Sequence, residues 1–145
     1  ELINEGKIKK ENIEIDYAGT YNERVYSEIQ KTKLEDIYVN KGLLSRIDSV
    51  KLQDKSDILL TAVWNYKDSQ GILGGKVLTY LMLQKPIIAV VMGDTPESEL
   101  KKLIAKVNCG WTYEQANHQK DFENLKEVLV NLYNKKMNGE KIQIE

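Results

Sequence analysis

The residues best suited to chemistry form a short glycine-rich segment that ends in a basic residue. Gly71, Gly74 and Gly75 would let the backbone approach a ligand closely, and Lys76 follows them directly. The apolar spacing after Gly75 predicts a helix, whose first N–H groups lack partners and carry the positive end of the helix dipole. A lysine is disfavoured there, so a bound anion would account for its position. The segment indicates a phosphate site. A plain turn is the alternative, because neither a Walker pattern nor GxGxxG is present.

Other residue types that could do chemistry are few. Asp94, Glu97 and Glu99 are interpreted as the charged start of a helix, with paired carboxylates for acid and base catalysis as the alternative. His118 is interpreted as a solvated side chain in a polar loop. Cys109, the one cysteine, is interpreted as a small buried hydrophobe, and it cannot form an internal disulfide. One histidine and one cysteine make a zinc site improbable, and no cofactor is predicted.

Predicted strands and helices alternate along the chain and position these residues. Strands are predicted at residues 13–17, 36–40, 57–63, 86–92 and 109–113, and helices at 22–34, from Ser45, from Gly75, around 100–107 and at 120–137. A strand followed each time by a helix predicts an α/β domain, with a parallel sheet and helices on both of its faces. Ligands of such sheets bind beyond the carboxyl ends of the strands, where Gly19, Gly42 and the 71–75 segment fall.

Some of the predicted helices carry more detailed expectations. Ser45 can cap its helix together with Asp48, because the three-residue spacing resembles a capping box. Ile47 on that helix, and Leu78 with residues 81–83 on the helix after Gly75, are expected to pack inward.

Composition limits the class of protein. The chain has 145 residues, of which 41% are hydrophobic and 30% charged, which is enough apolar material for the core of one domain. Its net charge of −1 argues against nucleic acid as a partner, because such binding needs a concentrated positive field. The longest apolar run, residues 86–92, is too short for a transmembrane segment. We expect a cytoplasmic protein, or one peripheral to the inner face of a membrane.

One long stretch resembles a known family. The residues SDILLTAVWNYKDSQGILGGKVLTYLMLQKPIIAVV resemble the donor-binding half of GT-B-type glycosyltransferases related to family 4, of the bacterial polysaccharide-biosynthesis kind. An aspartate-led strand, a variable loop, a GK helix start, a YL pair and KPI follow in the family's order. The resemblance extends upstream to IDYAGT and IYVNKGLLSR and downstream to ESELKKLIAKVNCG. It implies a Rossmann-like three-layer α/β/α domain with a parallel sheet of about five strands.

The resemblance also implies the partners and the chemistry. This half would bind a nucleotide-sugar donor, a UDP-sugar foremost, while a separate N-terminal domain would hold a saccharide or lipid-linked acceptor. The implied reaction is a retaining, metal-independent hexosyl transfer. In such a reaction the protein stabilises the charge that builds on the departing diphosphate.

The implied ligand contacts are carried over by position from the family. The nucleobase segment is matched by Gly42, Leu43, Leu44 and Ser45, a strand end at the cleft by Gly19 and Thr20, and the phosphate-facing loop by Gly74, Gly75 and Lys76. Lys76 is the expected catalytic residue. For two of these positions a purely structural role is the alternative to ligand contact, since Gly42 could be a plain turn and Ser45 only a helix cap.

Two departures from the family pattern bear on activity. Thr79 and Gly71 stand where many members carry glutamates, and Thr79 occupies the ribose-binding position. A hydroxyl can still bond a sugar, but it lacks the charge that makes a carboxylate a stronger acceptor. The family's first strand, which brings an arginine and a lysine to the diphosphate, would lie before Glu1. We therefore expect residues 1–145 to be one domain of a longer protein, inactive by itself.

The absence of that strand predicts an adjustment of the sheet. Either the strands at 13–17 and 57–63 close up, or another segment fills the position between them. Ile142 and Ile144 alternate with polar residues and could form that strand. Two alternative functions stay open: a non-catalytic α/β interaction domain, and half of a nucleotide-sugar epimerase, which would need acid and base side chains that this stretch does not display.

Overall fold

The computed structural model describes residues 1–144, and the chain forms two compact units, Glu1–Leu52 and Gln53–Glu145. Both units combine helices with mostly parallel strand pairing, so the protein has a mixed α/β fold. None of the helices in the described residues is long and apolar enough to cross a membrane.

The first unit is built on two parallel strands. β1 (Ile15–Ala18) is followed by helix α1 (Asn22–Lys31), β2 (Tyr38–Gly42) and helix α2 (Arg46–Lys55), and short 3-10 turns lie at Lys10–Asn12 and Glu35–Ile37. Ile15 pairs with Tyr38, and the register shifts by one residue between Tyr17 and Ala18. The ring of Tyr38 lies between those of Tyr17 and Tyr26, with centroids 6.3 Å and 5.9 Å away.

In the described residues, the second unit contains a four-stranded sheet and three α-helices. Its elements are β3 (Leu59–Tyr66), β4 (Ser69–Gln70), α3 (Gly75–Met82), β5 (Ile87–Met92), α4 (Glu99–Val107), β6 (Gly110–Glu114), a 3-10 turn (Gln115–Asn117) and α5 (His118–Met137). The strand order is β4-β3-β5-β6, with β3, β5 and β6 parallel and β4 antiparallel to β3. The predicted strands at 57–63, 86–92 and 109–113 are thus confirmed, with shifts at their ends. The β3–β4 hairpin was not predicted.

The core of the second unit lies between the sheet and helices α3 and α4. Val77 and Tyr80 from α3, and Leu100 and Ile104 from α4, pack with Leu59, Ile87, Ala89 and Cys109. The prediction that Cys109 is a buried hydrophobe is confirmed.

Three apolar helix residues that were expected to pack inward are exposed. Ile47 on α2 is 69% exposed, and Leu78 and Met82 on α3 are 64% and 85% exposed. Leu78 and Met82 are four residues apart, so they share one side of α3, whereas Val77 and Tyr80 on the other side reach the core. The inward packing predicted for these three residues is wrong.

The strands form two separate sheets. The expectation that the strands at 13–17 and 57–63 close up is wrong. Within residues 1–144, β1 pairs only with β2, and β3 pairs with β5 and the short β4. Ile142 and Ile144 lie outside any strand. Two β3 carbonyls on the side away from β5 accept hydrogen bonds from other parts of the unit. The Tyr80 hydroxyl donates to the Leu60 carbonyl at 3.2 Å, and the Gly71 N–H donates to the Trp64 carbonyl at 2.7 Å. These bonds reduce the cost of an open strand edge.

Candidate functional site

The start of α3, one of the predicted contact points, is exposed. Gly74 is the N-cap, with extended backbone (φ −75°, ψ 157°), and no side chain bonds to the cap. Gly75, Lys76 and Gly74 itself are exposed. The predicted helix start at Gly75 is confirmed. Because the first N–H groups of a helix have no partner within it, those of Gly75 and Lys76 are suited to an anion.

The fold requires glycine at some positions of this segment and not at others. A Cβ on Gly71 would lie 3.0 Å from the backbone nitrogen and 3.1 Å from the backbone oxygen of Trp64, so glycine is needed for the close approach to β3. A Cβ on Gly74 or Gly75 would meet no atom within 4 Å, and neither glycine has a positive φ. The fold explains Gly71, and it places no demand for glycine at positions 74 and 75.

Thr79 lies one helical turn beyond Gly75 and is half-buried. Its hydroxyl donates to the Gly75 carbonyl at 3.3 Å, a bond within the helix. The hydroxyl oxygen can still accept a hydrogen bond from another group. A contact between Thr79 and a ribose therefore stays a prediction, in competition with a purely local role.

In the first unit, Gly19 and Gly42 meet at the carboxyl ends of the parallel strands. The Gly19 N–H donates to the Gly42 carbonyl at 3.0 Å. Gly42 has a φ of +67°, and its N–H donates to the Asn40 side-chain oxygen at 2.8 Å. A positive φ favours glycine, so the turn by itself accounts for Gly42.

The residues after Gly42 divide into a cap and two exposed apolar side chains. The Ser45 hydroxyl accepts from the Asp48 N–H at 3.1 Å and donates to the Asp48 carboxylate at 2.7 Å, which confirms the predicted cap. Leu43 is 76% exposed and Leu44 is also exposed. Leu43 and Leu44 are therefore free to contact a ligand, whereas the Ser45 hydroxyl is already in use.

Thr20 is exposed and borders a shallow surface depression at the amino end of α1. The other lining residues are Tyr21, Asn22, Glu23 and Arg24. No side chain caps this helix either. The first unit thus contains a hollow beside one of the predicted contacts.

A buried polar network lies at the carboxyl ends of β5 and β6, and the sequence interpretation missed it. Glu114, the last residue of β6, is fully buried. Its carboxylate accepts from the N–H groups of Glu97 and Ser98 at 3.0 and 2.9 Å, and from Lys101 Nζ and Asn117 Nδ2, both at 3.2 Å. Burial acts to raise the pKa of Glu114, but these donors outweigh it and hold the pKa below its ordinary value. The network is satisfied internally, so its role is to hold the loop before α4.

Of the acidic residues predicted at this helix start, Glu97 and Glu99 lie there, whereas Asp94 accepts from the Thr95 hydroxyl before the helix. Ser98 caps α4 by accepting from the Lys101 N–H at 3.2 Å, and Glu99 lies in the first turn. Glu97 pairs with Lys101 at 2.6 Å. Among the residues that the structure describes, no group of three or more metal-ligating side chains is found.

His118 is exposed, but it does not lie in a loop. It begins α5, and its Nδ1 is 2.8 Å from the Tyr113 hydroxyl. The predicted polar loop is wrong at this position.

Comparison of the chain with known families, proteins and structures gives no match. The chain matches no protein-family model, no curated protein and no solved structure. The glycosyltransferase resemblance therefore depends on the order of motifs in the sequence.

Proposed function

We propose that this chain is the donor nucleotide-sugar-binding half of a GT-B-type glycosyltransferase, with a Rossmann-like domain architecture. The carrying observation is the start of α3, where two glycines that the fold does not require precede an exposed lysine at an uncapped helix terminus. Glycine at positions without steric demand is explained by the approach of a ligand to the backbone.

The proposed chemistry is stabilisation of negative charge on a diphosphate. In the proposal, the Gly75 and Lys76 N–H groups and the helix dipole bind phosphate oxygens, and the Lys76 ammonium stabilises the leaving group. The short strand β4 lies between β3 and α3 and runs antiparallel to β3, so α3 begins after a hairpin that brings Gly71 back beside Trp64. The hexosyl acceptor, held by a further domain, belongs to the same proposal.

In the first unit, the resemblance assigns Leu43 and Leu44 to the nucleobase segment and Thr20 to a strand end at the cleft. Leu43 and Leu44 offer exposed apolar contact after β2, and Thr20 borders the hollow at α1. The structure already explains Gly19, Gly42 and Ser45 by their hydrogen bonds within the first unit. In the proposal, these three residues therefore set the backbone path beside Thr20, Leu43 and Leu44 and make no side-chain contact with the donor.

Gly75→Val tests the phosphate site. The added side chain has room in the folded chain, so we expect the fold to persist while nucleotide affinity falls by about tenfold or more. Affinity is measured by titration calorimetry and by melting temperature with millimolar UDP, GDP and dTDP. Ala105→Val on α4 is the matched control, because it adds a branched residue at an exposed helix position away from the loop. No response of the parent chain to any of the nucleotides, or unchanged affinity in Gly75→Val, would contradict the proposal.

Thr79→Glu tests the ribose position, where two outcomes of opposite sign are possible. If a ribose binds there, the carboxylate should tighten nucleotide binding by on the order of 1 to 2 kcal/mol, and Thr79→Ala should weaken it slightly. If Thr79 acts only through its bond to the Gly75 carbonyl, the half-buried carboxylate lowers the melting temperature without any gain in affinity. Leu78→Glu adds the same charge at the exposed neighbouring position and serves as the control.

A non-catalytic interaction domain is the second candidate, and the surface of α3 favours it. Leu78 and Met82 are exposed on the same side of α3, and a partner protein in this alternative would cover this apolar pair. This alternative expects no nucleotide binding in the parent chain, so the calorimetry with Gly75→Val separates the two functions.

A further inference from the structure

The last described residues fold back onto the second unit. α5 ends at Met137, and Gly139 follows with a φ of +79°. The Gly139 N–H donates to the Lys136 carbonyl and the Glu140 N–H to the Lys135 carbonyl, both at 3.0 Å. This is the bonding of a Schellman motif, which turns the chain back at the helix end.

Two isoleucines attach the returning segment. Ile142 is buried, and Ile144 packs against the core cluster that contains Cys109. Gln143 between them is exposed. Residues 140–144 contain no helix or strand, so their attachment depends on these two apolar side chains.

Ile144 also closes part of an apolar cavity. The cavity measures about 300 Å³ and is lined by Leu81, Gln84, Val107, Cys109 and Ile144. Cys109 is 1% exposed. Because Ile144 is the one lining residue from the returning segment, its departure would widen the cavity that Cys109 also lines.

We propose that residues 140–144 are a detachable strap, which closes this cavity and controls the access of solutes to Cys109. A segment held by few buried apolar contacts opens locally at a lower free energy than the core unfolds. With the strap closed, the buried thiol is unreactive, and burial also raises the pKa of Cys109. With the strap open, the thiol becomes accessible while the sheet and helices stay folded.

The test is the rate at which Cys109 reacts with an aromatic disulfide reagent such as DTNB. Ile144→Asp should raise that rate by at least about tenfold under native conditions, with the helical circular dichroism unchanged. Gln143→Asp is the matched control, since it adds the same charge to the same segment at an exposed position, and its rate should equal that of the parent chain.

Two further measurements separate the strap from general destabilisation. In Ile144→Asp, the rate should be nearly independent of urea below the unfolding transition, because opening a short segment exposes little surface. Ile144→Ala should give a smaller increase in the same direction, and it replaces Ile144→Asp if that variant does not fold. Equal rates in all variants, or a rate that follows global unfolding in urea, would overturn the proposal.

Discussion

Gly110→Ala is expected to lower the free energy of unfolding by about 4 kcal/mol, because an added Cβ at Gly110 meets the shortest contact of any glycine in the chain. Gly110 pairs with Ile87 at the start of β6 and has a φ of +155°. An alanine Cβ there would lie 1.9 Å from the Ile87 carbonyl oxygen and 2.7 Å from the Ile87 nitrogen. Because the obstacle is backbone in a central strand, no side-chain rotation can relieve the overlap.

Urea unfolding followed by tryptophan fluorescence measures this effect. Gly74→Ala is the control, since a Cβ at that position meets no atom within 4 Å and its φ is −75°. Its free energy of unfolding should stay within about 1 kcal/mol of the parent value, since the only expected cost is that of alanine in place of glycine at the N-cap. A Gly110→Ala chain that unfolds at the parent midpoint would show that β5 and β6 do not pair as described.

Glu114→Gln is expected to lower the free energy of unfolding by about 3 kcal/mol at neutral pH. The carboxylate accepts from the N–H groups of Glu97 and Ser98 and from Lys101. A glutamine has one acceptor oxygen and presents an NH₂ group toward one of these donors, which leaves a buried N–H or the ammonium without an acceptor. Glu99→Gln, an exposed acid in the first turn of α4, is the control and should cost less than about 1 kcal/mol.

The pH dependence of that difference gives a second check. The pKa of Glu114 in the folded chain lies below its ordinary value of 4.5, because the donors outweigh the effect of burial. A depressed pKa stabilises the folded state above the ordinary value, and this contribution is lost as the pH falls through the folded pKa. The parent chain should therefore lose its advantage over Glu114→Gln below about pH 4.5, as measured by urea unfolding across pH 3 to 7. A constant difference over that range would exclude the charge of Glu114 as the cause.

Local sequence signals were sufficient for several elements near the proposed site, but not for the β3–β4 hairpin that precedes it. The apolar run at 57–63 predicted β3. The spacing of Ser45 and Asp48 predicted the helix cap, in which the Ser45 hydroxyl accepts from the Asp48 N–H at 3.1 Å and donates to the Asp48 carboxylate at 2.7 Å. The start of α3 at Gly75 was also predictable. Each of these features is decided by residues within a few positions of one another, so the linear spacing contains the information.

Contacts between distant residues decided the rest. The sequence does not show that Gly71 is needed beside Trp64, that Tyr80 covers the Leu60 carbonyl, or that the sheets remain separate. Glu114 accepts from Ser98, which lies 16 residues earlier, and an acid at the end of a strand is the only local sign of that role. Residue type and spacing therefore predicted which segments form most of the helices and strands, with shifts at their ends, and which loop is the candidate for binding an anion. The tertiary structure alone decided which glycines the packing requires and which carboxylate is buried, because both depend on atoms that the chain brings together only when it folds.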